Sequence, residues 1–219
     1  NHTPNLNNNP IHSTNQQKIG TSSIYFPFDT DDSNGFIITN HSDFDFSDNN
    51  FTIECWVYIE EFSPSTRLTI IFGQRETGNP ASRSYMLAVR QDGELQFSCE
   101  SAISNNSSQL KTDSSDFLSL NTWYHIAVVR NANTITLYKN GISVDSDTFS
   151  EPIFFHSTYD IHIGGYNYND GHESFYKESR LKGYLDGLKF TNGEALYTQN
   201  FNVPNVLFIK TATYNTYYK

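Results

Sequence analysis

The chain predicts an all-β fold, two antiparallel sheets packed face to face as a sandwich. Three observations carry this. Apolar residues fall in short runs that alternate in the manner of strands, with no helical period of any length. Gly, Asn and Asp separate those runs as turn residues do. Aromatics are plentiful, 17 Phe and 14 Tyr against a single Met, a mix that suits a pleated surface better than a helix bundle. Many short, evenly spaced strands mean a sandwich or barrel, and 219 residues are enough for one such unit with its own core.

The elements follow in order. Residues 1–20, "NHTPNLNNNPIHSTNQQKIG", hold almost no apolar side chains and read as an Asn-rich linker or docking arm. The sandwich proper is expected over 21–204. "SSIYFPF" and "GFIITN" open it. "FTIECWVYI" (Phe51–Ile59) is apolar on both faces and reads as a central strand covered on both sides or nearly so. "TIIFG", "SYMLAVR" and "ELQFSCE" follow, and Asp92-Gly93 between the last two is a hairpin signal, since type I′ turns need positive φ. "WYHIAVVR" and "TITLYKNGISV" come next, the second containing another such signal at Asn140-Gly141. "DIHIGGY" and "YLDGLKF" complete the strands, and "GEALYTQN" is the one candidate for a short helical turn. Residues 205–219, "NVLFIKTATYNTYYK", form a Tyr-rich tail whose apolar start would be a sticky edge if exposed, so an assembly contact is expected there.

Bulk properties exclude several function classes. A net charge of -10 argues against nucleic acid, which needs a basic footprint. No apolar run approaches the roughly 18 residues of a membrane span, so no membrane insertion is expected. Cys55 and Cys99 each lie in a strand-like run, either bridged or simply two small buried hydrophobes.

Four blocks in register carry a family resemblance: "FTIECWVY", "NTWYHIAVVRNANTITLYKNGISV", "IHIGGY" and "LKGYLDGLKFTNGEALYTQNF". Together they resemble the laminin G-like branch of the concanavalin A-like lectin/glucanase superfamily, from about Ser22 to Pro204. The ending is similar to that of laminin G-like domains in bacteriophage and marine microbial adhesive proteins. The resemblance implies a jelly-roll sandwich with one convex and one concave sheet. It also implies a non-enzymatic recognition or adhesion role, extracellular or on a virion surface, as part of an appendage, a capsid decoration or a cell-surface assembly. The partners it implies are a surface glycan or polysaccharide and other subunits of a larger assembly. A purely structural module that binds no sugar is the alternative, and a polysaccharide hydrolase or lyase a weaker one.

Catalysis has little support in the residues. Glycoside hydrolases on this sandwich carry paired carboxylates on one strand, and no E-x-D-x-x-E or E-x-D-x-x-x-E run occurs. No nucleophile-elbow motif is present either. The long connection "YNYNDGHESFYKESR" is the expected binding locus. Sugars stack on aromatic rings while amides and carboxylates take their hydroxyls, which makes Tyr166, Tyr168, Asn169, Asp170 and Tyr176 the glycan-binding candidates. Asn169, Asp170, Glu173 and Glu178 offer hard oxygens for calcium, and the same connection in the pentraxin relatives is a calcium loop. Glu76 and Asn79 would approach from a neighbouring loop.

Several polar residues interrupt apolar strands: Glu54 beside Trp56, His125 in "WYHIAVVR", and Asp186 in "YLDGLKF". A buried charge without a partner costs several kcal/mol, so these are expected to satisfy one another structurally rather than act as acid and base. His125 and Arg130 are the candidate partners of Glu54.

Overall fold

The computed structural model describes residues 4–5, 10–27, 35–64, 68–75, 83–165, 179–204 and 216–217, with only the backbone for 4–5, 75, 83 and 216–217. Two antiparallel sheets form the described part. The smaller holds β1 (Pro4–Asn5), β4 (Phe36–Ile38), β6 (Thr69–Arg75), β7 (Arg83–Val89), β8 (Leu95–Glu100), β9 (Ser107–Lys111) and β13 (Ile161–Ile163), in the spatial order β1-β4-β13-β6-β7-β8-β9. The larger holds β2 (Ile11–Ser13), β3 (Ser23–Phe26), β5 (Phe51–Glu61), β10 (Trp123–Asn131), β11 (Thr134–Lys139), β12 (Ile142–Thr148) and β14 (Lys182–Asn192), in the order β12-β11-β10-β5-β14-β3-β2. A two-residue strand, β15 (Thr216–Tyr217), pairs with β14 beside Lys189 and Phe190. Among the described residues the only helical element is one 3-10 turn, Ser42–Phe44.

Alternation sets the core. Ile53, Cys55 and Val57 of β5, Ile126 and Val128 of β10 and Leu185 of β14 point inward, and meet Phe72, Leu87 and Phe97 of the smaller sheet. Phe72 and Phe190 touch edge to face across the gap, with ring centroids 5.5 Å apart. Each such side chain contributes about 1.5–3 kcal/mol by leaving water. Cys55 and Cys99 are both free thiols inside this core, so of the two readings of the cysteines the buried-hydrophobe one holds. Burial raises both thiol pKa values, that of Cys99 to about 12.

The Asn140-Gly141 turn is the predicted two-residue hairpin, with φ of 51° and 79°. The turn at Asp92-Gly93 differs. Only Gly93 has positive φ, 94°, and its N–H returns to the Arg90 carbonyl within a longer loop. "GEALYTQN" is not helical. Its backbone is drawn elsewhere: the Leu196 N–H donates to Thr52 Oγ1 at 2.9 Å, and Phe201 N–H to the Gly141 carbonyl at 2.9 Å.

The Asn-rich start, expected as a linker or docking arm, supplies β1 and β2, which pair at the same end of the two sheets' strand order, on β4 and β3. At the opposite edges β9 and β12 approach each other. Ser108 Oγ donates to Asp147 at 2.7 Å and the Lys111 N–H to Asp145 at 2.9 Å. One end of the core is closed by Arg130, 1% exposed. Its guanidinium donates to the carbonyls of Ala132, Ser47, Phe149 and Glu151 at 2.8–3.1 Å.

Candidate functional site

The outward face of the larger sheet carries the polar and aromatic residues that alternate with the core. Antiparallel register groups them in rows. The innermost row to matter is Ala127–Glu54–Lys189, and the next is His125–Trp56–Asp186, each running from β10 through β5 to β14. The bulge in β14 between Asp186 and Lys189 is what brings Lys189 opposite Glu54.

Glu54 is 1% exposed. Its carboxylate meets His125 Nε2 at 3.3 Å and Lys189 Nζ at 3.5 Å, and accepts the Tyr197 hydroxyl at 2.7 Å. Burial alone would raise its pKa. The His125 and Tyr197 hydrogen bonds and the Lys189 charge outweigh burial and hold it below the ordinary carboxylate value. Tyr197 belongs to the closing segment 193–204, which lies over this part of the face. Tyr197 stacks on Phe201, and Phe201 packs against His125 and Tyr138. Gly141 permits this. A Cβ there would stand 2.1 Å from the Phe201 carbonyl oxygen. Of the two partners expected for Glu54, the structure uses His125, while Arg130 points into the core.

Asp186 serves the N-terminal segment. Its Oδ2 accepts the backbone N–H groups of Lys18 at 2.9 Å and Ile19 at 2.7 Å. Lys18 Nζ sits 4.5 Å over the Trp56 ring, a cation–π contact that covers the indole. Desolvation raises the Asp186 pKa against the opposing effect of these backbone donors. Glu54, Trp56, His125 and Asp186 are thus buried or covered, and each polar one is engaged by its own chain.

Among the described residues, one row is overlain neither by the closing segment nor by Lys18. Trp123 of β10 pairs with Tyr58 of β5, Tyr58 with Tyr184 of β14, Tyr184 with Tyr25 of β3, and Tyr25 with Ile11 of β2. Ring centroids are 5.5 Å apart for Trp123–Tyr58, 5.7 Å for Tyr58–Tyr184 and 4.6 Å for Tyr25–Tyr184. Trp123, Tyr58 and Tyr25 are half-buried, Tyr184 is buried between them, and Ile11 at the edge is 51% exposed. Tyr25 donates its hydroxyl to Glu60 at 3.3 Å. Desolvation, then the Glu60 charge, raises the Tyr25 and Tyr184 pKa values, so both phenols stay protonated. Gly183 makes the row possible, since at φ 145° its missing Cβ would lie 2.0 Å from the Tyr58 carbonyl oxygen. The result is an amphipathic row of rings, tilted 36–78° to one another, with hydroxyl donors along it. Sequence alternation places each ring on the outward face, yet nothing in a single sequence says that these strands are neighbours in this register.

The loop residues expected to bind, Tyr166, Tyr168, Asn169, Asp170, Glu173, Tyr176 and Glu178, lie outside the described residues, as do Glu76 and Asn79. The loop departs and returns at the described bridge between Gly165 and Arg180, three residues before Gly183. Among the described residues no cluster of three or more His, Cys, Asp or Glu side chains is placed to hold a metal ion.

The fold and this face define a lectin-type β-sandwich, a jelly roll with one sheet displaying aromatics outward. The chain belongs to the laminin G-like family of the concanavalin A-like lectin/glucanases superfamily, which matches residues 30–198. No curated protein sequence matches it. Solved structures share the fold at low identity. The binding domain of Paraclostridial Mosquitocidal Protein 1 is similar over 90% of this chain and 45% of that one, at 17% identity and a TM-score of 0.63. Domain 4 of AbnA, an extracellular arabinanase from Geobacillus stearothermophilus determined with arabinotriose, is similar over 89% and 83%, at 17% identity and 0.58. The binding domain of Botulinum Neurotoxin DC, determined with SialylT, is similar over 90% and 44%, at 13% identity and 0.60. The chain therefore spans less than half the length of the two toxin binding domains.

Proposed function

We propose that this domain is a non-enzymatic recognition module that holds a surface glycan or polysaccharide on the strip formed by Trp123, Tyr58, Tyr184 and Tyr25. The observation that carries the reading is the strip itself: in-register rings, with half-buried Trp123, Tyr58 and Tyr25 around buried Tyr184, where the described closing segment and Lys18 cover the neighbouring rows. Sugar C–H faces stack on such rings, while phenol hydroxyls and Glu60 take sugar hydroxyls. The loop 166–178 would add side chains, and calcium, from beyond the Gly165–Arg180 bridge. An extracellular or virion-surface setting, within an appendage or capsid decoration, fits such a module. The burial of Glu54 and its engagement by three partners support the non-enzymatic reading.

A glycan array probed with and without calcium tests this, with Trp123→Ala alongside the native protein. Binding that Trp123→Ala abolishes, with the melting transition retained, is the expected result. An array blank in both conditions would remove the reading.

A further inference from the structure

The open strip has a shape and a charge, and together they name a ligand class. It is one residue row deep and five strands long. At about 4.8 Å between neighbouring strands, four spacings give a length of roughly 19 Å. On one long side it is bounded by covered ground, with Phe201 over His125 and Lys18 over Trp56. A ligand that used the whole strip would therefore run across the strands, meeting a new side chain at each strand. That advance is close to the length of one sugar residue in an extended chain.

The charge of the described residues around the strip disfavours anions. Glu60 stands beside Tyr25 and Asp186 lies one row below Tyr184. Among the described cations near this face, Lys182 pairs with Glu61 at 2.8 Å, Lys189 with Glu54 and Lys139 with Asp116, while exposed Lys18 stands over Trp56 with Asp186, the acceptor of its backbone N–H, close by. Three of these four cations are thus balanced by a carboxylate, and the whole chain carries -10. A carboxylated or sulfated sugar would meet local carboxylates and a repelling field.

We infer that the strip selects an uncharged, extended polysaccharide lying across the strands and rejects sialylated, uronic or sulfated glycans. The inference rests on the glycan-binding reading above and narrows it. Calorimetric titration of the full chain with neutral oligosaccharides of increasing length, arabino-, xylo- and gluco-oligomers, tests it beside sialyllactose and a heparin fragment. Neutral chains should bind with affinity that rises up to about four units, the number of strand spacings, and then levels. In calcium-free buffer, raising salt from about 0.1 to about 1 M should leave that affinity unchanged, since a neutral chain makes no charge pairing with the strip. Tyr58→Ala should weaken it by about tenfold or more, and Tyr58→Leu, which keeps an apolar strand residue, should do the same if the alanine variant fails to fold. Sialyllactose or heparin binding that Tyr58→Leu abolishes would overturn the charge selection while keeping a glycan site. Neutral binding indifferent to chain length would overturn the cross-strand geometry. No binding of any sugar would overturn the glycan reading itself.

Discussion

Asp186 on β14 accepts the backbone N–H of Ile19 at 2.7 Å, across 167 positions of sequence. An acid in an apolar strand is thus the anchor that ties the Asn-rich start of the chain to the sandwich. Asp186→Ala leaves the buried end of that contact unpaired, a loss of about 1–3 kcal/mol. Trypsin should then cut after Lys18 well before it cuts the native protein, read by mass spectrometry over time. Asp186→Asn keeps an acceptor and should lie in between.

Stability should fall with acid in two stages. Desolvation lowers the His162 pKa to about 4, from 6.5. A depressed folded value means that its stabilising contribution is complete above pH 6.5 and is lost as pH falls toward 4. The depressed Glu54 carboxylate contributes above its unfolded value of about 4.3 and loses that contribution at still lower pH. Chemical denaturation across pH 7 to 3 reads both stages. His162→Gln should flatten the first and Glu54→Gln the second. Glu54→Gln should also cost about 3–5 kcal/mol at neutral pH, because it breaks a buried ion pair with Lys189.

Arg130 holds four carbonyls with one planar fork, a geometry that lysine cannot reproduce. Arg130→Lys should lower stability by several kcal/mol, at about 1.5–3 kcal/mol for each charged hydrogen bond lost. The urea midpoint measures it, and an unchanged midpoint would show that the carbonyls find other donors.

Gly183→Ala places a methyl group against the Tyr58 carbonyl in a backbone region closed to L side chains. β14 must move away from β5 at the point where Tyr184 meets Tyr58. Lower melting temperature and a changed tyrosine near-ultraviolet circular dichroism signal are expected together. A variant matching the native protein in both would mean that the strand tolerates the shift.

The strands were legible because each carries its own alternation: Phe51 to Ile59 reads as central and is central, with β10 on one side and β14 on the other. Asn140-Gly141 was legible because positive φ at two successive residues restricts the residue types allowed. The link between Glu54 and His125 followed from the cost of burying charge. The aromatic strip was not legible, because it exists only through register. Trp123, Tyr58, Tyr184 and Tyr25 come from four strands scattered along the chain, and the β14 bulge resets which residues face one another. The pairing of Ile11–Ser13 was hidden for another reason. A polar stretch shows no alternation when its partners are backbone groups and one distant carboxylate.

The seam where β9 meets β12 bears on how such domains behave in crowds. Asp145 and Asp147 spend their oxygens on the facing strand of the other sheet and bring negative charge to the border of the molecule. A second copy sliding up to that border finds acid and occupied amides instead of a template for one more strand.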